Sequence, residues 1–140
     1  MNILKVLTER RKIGNTGERA AVRYLRRHGY KILKRNYVFE NAEIDIIARK
    51  NNVTAFIEVK CRTAGALSEK ESRPAASVTH KKQRKIIAAA HGYLSENTCK
   101  TRRRLDVIEV LCERVGKRLK VKEIKHLEGA FTRDTALLGR

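Results

Sequence analysis

The sequence predicts one α/β domain in which two helices flank a mixed sheet, in the element order α-β-β-β-α-β-β. Three observations predict this fold class. The length of 140 residues suits a single compact domain. The hydrophobic fraction of 41% is enough to fill one core. Helical and strand-like spacings of apolar residues follow one another along the chain in that order.

The first half of the predicted fold is one helix and three strands. Asn15–His28 carries apolar residues at helical spacing, with Asn15 as its N-cap and Gly29 ending it. The three strands are predicted at Tyr30–Phe39, Glu43–Arg49 and Val53–Cys61. The short turns between them indicate antiparallel hairpins, which makes the second and third strands partners.

The second half is predicted to be one helix and two strands. Thr79–Leu94 is the helix, Leu105–Leu111 a buried strand, and Leu119–Leu127 an edge strand in which apolar and basic residues alternate. The polar segment Thr63–Ser77, which contains the only proline, is predicted to be a mobile loop. Residues 1–13 are predicted to be a basic N-terminal segment, 14–128 the domain and 129–140 a tail.

The charge of the chain indicates a polyanionic partner. Lys and Arg total 33 against 15 Asp and Glu, a formal net charge of +18. We expect nucleic acid, with DNA favoured, and no membrane, because no apolar run approaches the ~20 residues of a spanning helix. The N-terminus lacks the features of a secretory signal, which favours the cytoplasm. Cys61, Cys99 and Cys112 lie too far apart to indicate a disulfide framework or a zinc site.

Four charged residues on two neighbouring strands indicate a site. Glu43 and Asp45 are two residues apart, as are Glu58 and Lys60, so each pair shares one face of its strand. Their neighbours are branched aliphatic residues, which is typical of central strands. Charged side chains in such a strand are costly unless they are paired or bind a metal.

The donor atoms of these residues suit a hard divalent cation. Mg²⁺ prefers oxygen ligands, commonly one or two carboxylates with water and substrate phosphate, and Asp45 and Glu58 can supply the carboxylates. Mg²⁺ or Mn²⁺ stabilises charge developing on a phosphate and lowers the pKa of a bound water. Lys60 can orient or deprotonate that water and neutralise the scissile phosphate. These residues therefore predict phosphodiester hydrolysis.

The ordered motifs resemble those of a bacterial family, the YraN-like proteins. They are Gly14-x-x-Gly17-Glu18, Tyr24-Leu25, Gly29-Tyr30, Arg35-Asn36, Glu43-Ile44-Asp45, Glu58-Val59-Lys60-Cys61-Arg62, Lys82-Gln83 and Arg104-Leu105-Asp106-Val107. The spacing of Asp45 from Glu58-x-Lys60 is similar to that of the PD-(D/E)xK nucleases. The resemblance implies a restriction-endonuclease-like core, similar to Holliday-junction resolvases, with Asp45, Glu58 and Lys60 as a metal-dependent site. It also implies that Glu18 reaches this site as a further metal ligand. The chain departs from the pattern at Ala42, where the family usually has Gly, and it lacks the motif's proline.

Structural alternatives stand beside these roles. Glu18 forms a capping-box pattern with Asn15, in which it would bond back to the cap amide. Glu43 can pair with a lysine at a strand end. Asp45, Glu58 and Lys60 together can be a buried ion-pair network without any metal.

Residues outside the central strands are predicted to contact nucleic acid. They are Lys82, Gln83, Arg62 and Arg84. Gln83 lies on the apolar face of the second helix, so it is either a core amide or a group that supports the site. Asp106 is interpreted as the structural partner of an arginine rather than as a ligand.

The leading functional hypothesis is a metal-dependent nuclease acting on DNA, with branched or junction DNA as candidate substrates. Asp45 and Glu58 bind the metal in this hypothesis, Lys60 activates water, and Glu18 and Glu43 assist. The alternatives are a non-catalytic nucleic-acid-binding protein that keeps the fold, or a basic ribosome-associated structural protein. Because junction-cutting relatives act as dimers, a homodimer is a further candidate assembly.

Overall fold

A five-stranded mixed sheet forms the centre of the protein, with one helix on each face. The computed structural model describes residues 2–64, 79–97 and 100–132. Its elements are α1 (Ile3–Arg27), β1 (Lys31–Phe39), β2 (Ala42–Lys50), β3 (Val53–Thr63), α2 (His80–Glu96), β4 (Arg102–Val115) and β5 (Arg118–Leu127). This order and the flanking helices confirm the predicted fold class.

The strands lie in their sequence order across the sheet. β1, β2 and β3 form antiparallel neighbours, which confirms the predicted hairpins. β3 and β4 are parallel, and α2 provides the crossover that a parallel pair requires. β5 returns antiparallel to β4 and forms one edge of the sheet. Its alternation of apolar and basic residues predicts this edge position.

Each helix buries a separate core against its own face of the sheet. α1 buries Ala21, Val22 and Leu25 against aliphatic residues of β2, β3 and β4. α2 buries Ile86, Ala89 and Ala90 on the opposite face. β3 is covered from both sides, so Thr54 to Val59 are buried without a break. This explains the run of apolar residues from Ala55 to Ile57.

The predicted start of the first helix at Asn15 is wrong. α1 begins at Ile3, and Asn2 is its N-cap, with its side chain accepting a hydrogen bond from the Leu4 amide at 2.9 Å. The helix continues through Gly14 and Asn15 despite their weak helix propensity, and an ion pair between Glu9 and Arg114 joins its first half to β4. Because Asn15 lies inside the helix, the capping-box interpretation of Glu18 is also wrong.

Other element boundaries differ from the prediction by smaller amounts. β4 extends from Arg102 to Val115, beyond the predicted Leu105–Leu111, because its parallel pairing with β3 continues past the apolar stretch. β3 likewise includes Thr63, and the rest of the predicted loop, like Cys99, falls largely outside the described residues. Phe131 is buried in the α2-side core. Within the described ranges, no helix is long and apolar enough to cross a membrane.

The closest approach of α1 to the sheet occurs at Gly17. A Cβ atom added there would collide with the Sγ atom of Cys61 and lie 3.0 Å from its Cβ, whereas one added at Gly14 would meet nothing within 4 Å. We expect Gly14→Ala to raise the free energy of unfolding by about 0.5–1 kcal/mol, as for any glycine inside a helix. Gly17→Ala should lower it by about 1–3 kcal/mol because α1 must move away from β3.

Urea unfolding of both variants measures the difference. Cys61→Ala in the Gly17→Ala background should restore part of the loss, since it removes the sulfur atom that the added methyl group meets. Equal effects of the two glycine substitutions would contradict this packing.

Candidate functional site

The candidate site forms where β2 and β3 separate. Toward the start of β2 and the end of β3, their last paired residues are Ile46 and Ile57. Beyond that point the Val59 amide donates a hydrogen bond of 2.7 Å to Oδ2 of Asp45. The carboxylate therefore takes the place of a backbone acceptor, and the strands diverge around it.

An irregularity in β1 lies opposite Asp45. Asn36 has a φ of 52°, between the paired residues Arg35 and Tyr37. Across from it the alternation of β2 changes, because Ile44 packs on the α2 side while Ile46 packs on the α1 side. Asn tolerates this left-handed backbone better than most residues do. The irregularity in β1 thus accompanies a change in the direction of the β2 side chains at Asp45, whose carboxylate belongs to the candidate site.

Glu58 is buried between two lysines. It is 6% exposed, and its Oε1 atom lies 2.5 Å from Nζ of Lys82 and 3.4 Å from Nζ of Lys60. Lys60 lies two residues along β3, so their contact confirms the predicted shared face. Lys82 comes from the first turn of α2, which begins at the N-cap Thr79, whose hydroxyl accepts a 3.2 Å hydrogen bond from the Lys82 amide.

The protonation equilibria reflect this burial. Burial, followed by repulsion from Glu58, raises the pKa of Asp45 to about 7, although the Val59 hydrogen bond opposes the shift. Burial and the neighbouring Lys82 lower the pKa of Lys60, against the attraction of Glu58. For Lys82, burial acts to lower the pKa, but the hydrogen bond and charge of Glu58 raise it overall. Lys82 therefore stays protonated at neutral pH, whereas Asp45 is close to half-ionised near pH 7.

A second group of acids adjoins this pair. The side-chain nitrogen of Asn36 lies 3.2 Å from Oε1 of both Glu18 and Glu43, in the amide orientation that satisfies all three groups. The Nη2 atom of the Arg35 guanidinium lies 3.9 Å from Oε2 of Glu18. Burial raises the pKa of Glu18, with Arg35 opposing and Glu43 and Glu58 adding to the increase. The structure thus brings Glu18 of α1 close to Glu43 of β2, with Asn36 between them.

A cleft of about 490 Å³ opens over these carboxylates. Its lining combines acids from β2 and β3 with lysines from α2: Asn41, Ala42, Glu43, Asp45, Glu58, Thr79, Lys81, Lys82, Lys85 and Ile86. Negative charge lies at the sheet and positive charge on the helix. This polarity suits a ligand that carries both a metal ion and a phosphate.

The donor set fits Mg²⁺ or Mn²⁺. Asp45 and Glu58 supply carboxylate oxygens, and burial together with repulsion from Glu58 raises the pKa of Asp45. Among the residues that the structure describes, no group of three or more His, Cys, Asp or Glu side chains is arranged to hold a metal. Two carboxylates completed by water and phosphate are an ordinary Mg²⁺ set. The role of Glu18 as a third ligand stays a prediction.

The predicted nucleic-acid contacts are not all at this cleft. Arg62 lines a different cleft with Arg10 of α1, and Arg84 lines an adjoining one beside Lys85. Gln83 is 8% exposed on the inner face of α2, which agrees with either interpretation of it. Their contacts with nucleic acid remain predictions.

Asp106 is a structural residue, as interpreted from the sequence. It is fully buried and accepts hydrogen bonds from Arg104 Nε at 2.9 Å and from the Gly129 amide at 2.9 Å. Its Oδ2 atom lies 2.8 Å from Nε2 of His126. Burial acts to raise the pKa of Asp106, but these partners outweigh burial and lower it. Every one of these partners belongs to β4, β5 or the turn after β5, away from the cleft.

Several members of the site could not be identified from the sequence. Asn36 was part of a motif, yet nothing in its spacing indicated that it joins Glu18 to Glu43. Lys82 was expected to contact phosphate, and its ion pair with Glu58 was not foreseen. Lys81 and Lys85 are not among the residues that the sequence predicts for the site. Their separation of four residues, which puts them on one helix face, was the available signal.

Fold and site together define a strongly basic α/β protein with a carboxylate–lysine cleft in its central sheet. The sequence model described as uncharacterised protein family UPF0102 matches residues 17–110, and the chain belongs to this family, which confirms the YraN-like resemblance. Three relatives are each named a UPF0102 protein. One from Chlorobaculum parvum is 46% identical over 125 residues, covering 85% of this chain and 91% of its own length. One from Chlorobaculum tepidum is 42% identical over 125 residues, with coverages of 85% and 91%. One from Myxococcus xanthus is 36% identical over 124 residues, with coverages of 88% and 91%.

Asp45 should make the metal-free protein less stable as the pH rises. Its folded pKa of about 7 lies above the ordinary aspartate value of 3.8, so folding disfavours the ionised form. Its destabilising effect is absent below about pH 4, grows between pH 4 and 7, and is complete above pH 7. Asp45→Asn should therefore stabilise the protein more at pH 8 than at pH 4.5, by on the order of 2–4 kcal/mol.

The measurement is urea unfolding of the metal-free protein and of this variant across that pH range. Glu123→Gln, at an exposed position of β5, is the control for the loss of one negative charge. A wild-type-to-variant difference that does not change with pH would contradict the assignment.

Proposed function

We propose that this protein is a metal-dependent nuclease that hydrolyses phosphodiester bonds in DNA with Mg²⁺ or Mn²⁺. The observation that carries the proposal is the placement of Asp45 beside Glu58 on diverging strands, with Lys60 3.4 Å from Glu58. The net charge of +18 supports a polyanionic substrate, because such a chain attracts nucleic acid from solution.

Asp45 and Glu58 hold the metal in this proposal. When bound, the metal supplies Lewis-acid stabilisation of the phosphate and a more acidic water. The Val59 amide fixes the Asp45 carboxylate, so little side-chain freedom is lost when it becomes a ligand. Glu18 and Glu43, joined by Asn36, add negative charge beside the pair and orient its waters.

Lys60 acts on the proton of the attacking water. Burial lowers its pKa, which brings the amine closer to the neutral form that accepts a proton. Its distance of 3.4 Å from Glu58 keeps it next to one metal ligand. Lys82 has a different role: its ammonium pairs with Glu58, and it would be available to contact the phosphate if Glu58 served as a metal ligand. Branched or junction DNA is the proposed substrate, and a homodimer the proposed assembly.

One observation favours a second candidate, a non-catalytic nucleic-acid-binding protein. Glu58 already has two ammonium partners, at 2.5 and 3.4 Å, so the site is partly neutralised without a metal. A protein of this kind would use the same basic surface and would bind DNA without turnover.

Lys60→Ala separates these two candidates. Lys82 still pairs with Glu58 in the variant, so the melting temperature and Mn²⁺ affinity should stay close to wild type. DNA affinity should also persist, since one cation among 33 is removed. The cleavage rate should fall on the order of 10²-fold or more, the usual effect of removing a positioned acid–base group.

The paired measurement is melting temperature and cleavage of branched and linear DNA with Mg²⁺ or Mn²⁺. Lys122→Ala, at an exposed position of β5, is the matched control and should cut at the wild-type rate. Unfolding of Lys60→Ala would indicate a structural ion pair instead. Cleavage as fast as wild type would remove Lys60 from the reaction, and no cleavage by the wild type would favour the binding protein.

Lys82→Ala tests whether a lysine and the metal compete for Glu58. Removing the closer ammonium should strengthen Mn²⁺ binding, by on the order of 10-fold, because one positive charge no longer opposes the cation. Isothermal titration calorimetry of Mn²⁺ measures this change. Lys85→Ala, one turn along α2 on the cleft lining, should change the affinity less, and Glu58→Gln should abolish binding. An unchanged or weaker affinity of Lys82→Ala would contradict competition.

A further inference from the structure

We propose that duplex DNA lies along a basic groove on α2, which we call the α2 groove, and that it is bound there without regard to sequence. The α2 groove is formed by Lys81, Arg84 and Lys85 of α2, facing Phe39–Ala42 at the turn between β1 and β2. This inference rests on the proposed function, because it names the path by which the substrate of that reaction reaches the carboxylates.

The α2 groove is continuous with the candidate site. It encloses about 410 Å³ and shares four lining residues with the carboxylate cleft, namely Asn41, Ala42, Lys81 and Lys85. Lys81 and Lys85 are four residues apart, so they project from one face of α2 and border both cavities. A strand bound along the groove therefore passes the opening of the cleft, where Lys82 contacts Glu58.

The charge of the α2 groove is opposite to that of the cleft floor. Lys81, Arg84 and Lys85 face a single carboxylate, Glu40. Lys81 and Lys85 are exposed, and they can approach phosphates without first breaking a buried contact. The carboxylates of the cleft repel phosphate, so the backbone is held by the groove and only the phosphate at the metal enters the cleft.

Among the described residues, Phe39 is the only aromatic side chain that lines the α2 groove. Phe39 is half-buried, and its ring packs so closely on α2 that a Cβ atom at Gly92 would lie 2.5 Å from its Cε2 atom. The ring is therefore part of the wall. Without a stacking platform, single strands gain little, and contacts from ammonium and guanidinium groups to phosphates position a duplex without reading its bases.

The test compares two double charge reversals in the full chain. Lys81→Glu with Lys85→Glu alters the α2 groove, and Arg102→Glu with Arg103→Glu makes the same charge change at exposed positions at the start of β4. Glu at position 81 lies in the first turn of α2, where a negative charge favours the helix, so the fold should be kept. Circular dichroism and thermal melting verify this.

Affinity is measured by fluorescence anisotropy without metal, on two DNA duplexes of unrelated sequence, a single strand and an RNA duplex. We expect the groove variant to bind both DNA duplexes at least 10-fold more weakly, with a log–log salt dependence shallower by about 2, as for two lost phosphate contacts. The control variant should lose less than about 3-fold, since charges beyond a screening length of roughly 10 Å contribute little.

Equal losses in the two variants would overturn the α2 groove and leave a diffuse charge effect. Tighter binding of the single strand or of the RNA duplex, or a clear preference between the two DNA sequences, would overturn the proposed ligand. Cleavage is assayed separately with Mn²⁺. If wild-type protein binds through the groove but never cuts DNA, the proposed nuclease activity is wrong and the α2 groove stands. If it cuts DNA but the groove substitutions do not affect binding, the α2 groove is wrong and the nuclease activity stands.

Discussion

The hydrogen bond from the Val59 amide to Asp45 is the interaction on which the candidate site depends. Inside a sheet, a strand amide normally donates to a backbone carbonyl of the next strand. Here the Asp45 carboxylate accepts that bond at 2.7 Å. The backbone pairing of β2 with β3 ends just before it, at Ile46 and Ile57. The gap that results leaves a cleft beside Glu58, which lines it while staying largely buried. Without this substitution of acceptors, the carboxylates would lie in a continuous ladder with no room for a ligand.

The burial of these carboxylates leaves an imbalance that the chain only partly corrects. Lys82 and Lys60 neutralise Glu58, but Asp45 has a backbone amide as its direct partner and a pKa raised to about 7. The network around Asp106 is a useful contrast, because there the arginine, the histidine ring and an amide outweigh burial and the pKa falls. Asp106, a structural acid, thus has enough hydrogen-bonding and charged partners to outweigh the effect of its burial. Asp45 has fewer such partners, and a bound cation would provide the positive charge that stabilises its ionised form.

Much of the fold and part of the site could be predicted from the sequence, because they depend on local patterns. Alternation placed Glu58 beside Lys60, and the adjacent Arg104 identified Asp106 as structural. The start of α1 could not be predicted, since Gly14 and Asn15 resemble a helix boundary, whereas the helix begins at Ile3 and its first half contacts β4 through the ion pair of Glu9 with Arg114. The contact of Lys82 with Glu58 joins residues 24 apart, and it depends on where α2 crosses the sheet, which no local spacing encodes.

The crossing of α2 also explains why the carboxylates and the basic groove adjoin each other. β3 and β4 are parallel, so the chain must return across one face of the sheet before β4 begins, and α2 makes that return. α2 therefore begins near the end of β3 that carries Glu58 and Lys60, and its first turn meets them through Lys82. The next lysine on the same helix face, Lys85, must then lie farther along the cleft, toward the turn between β1 and β2. The parallel pairing of β3 with β4 thus places the acidic residues of the sheet opposite the basic residues of α2 across one continuous opening.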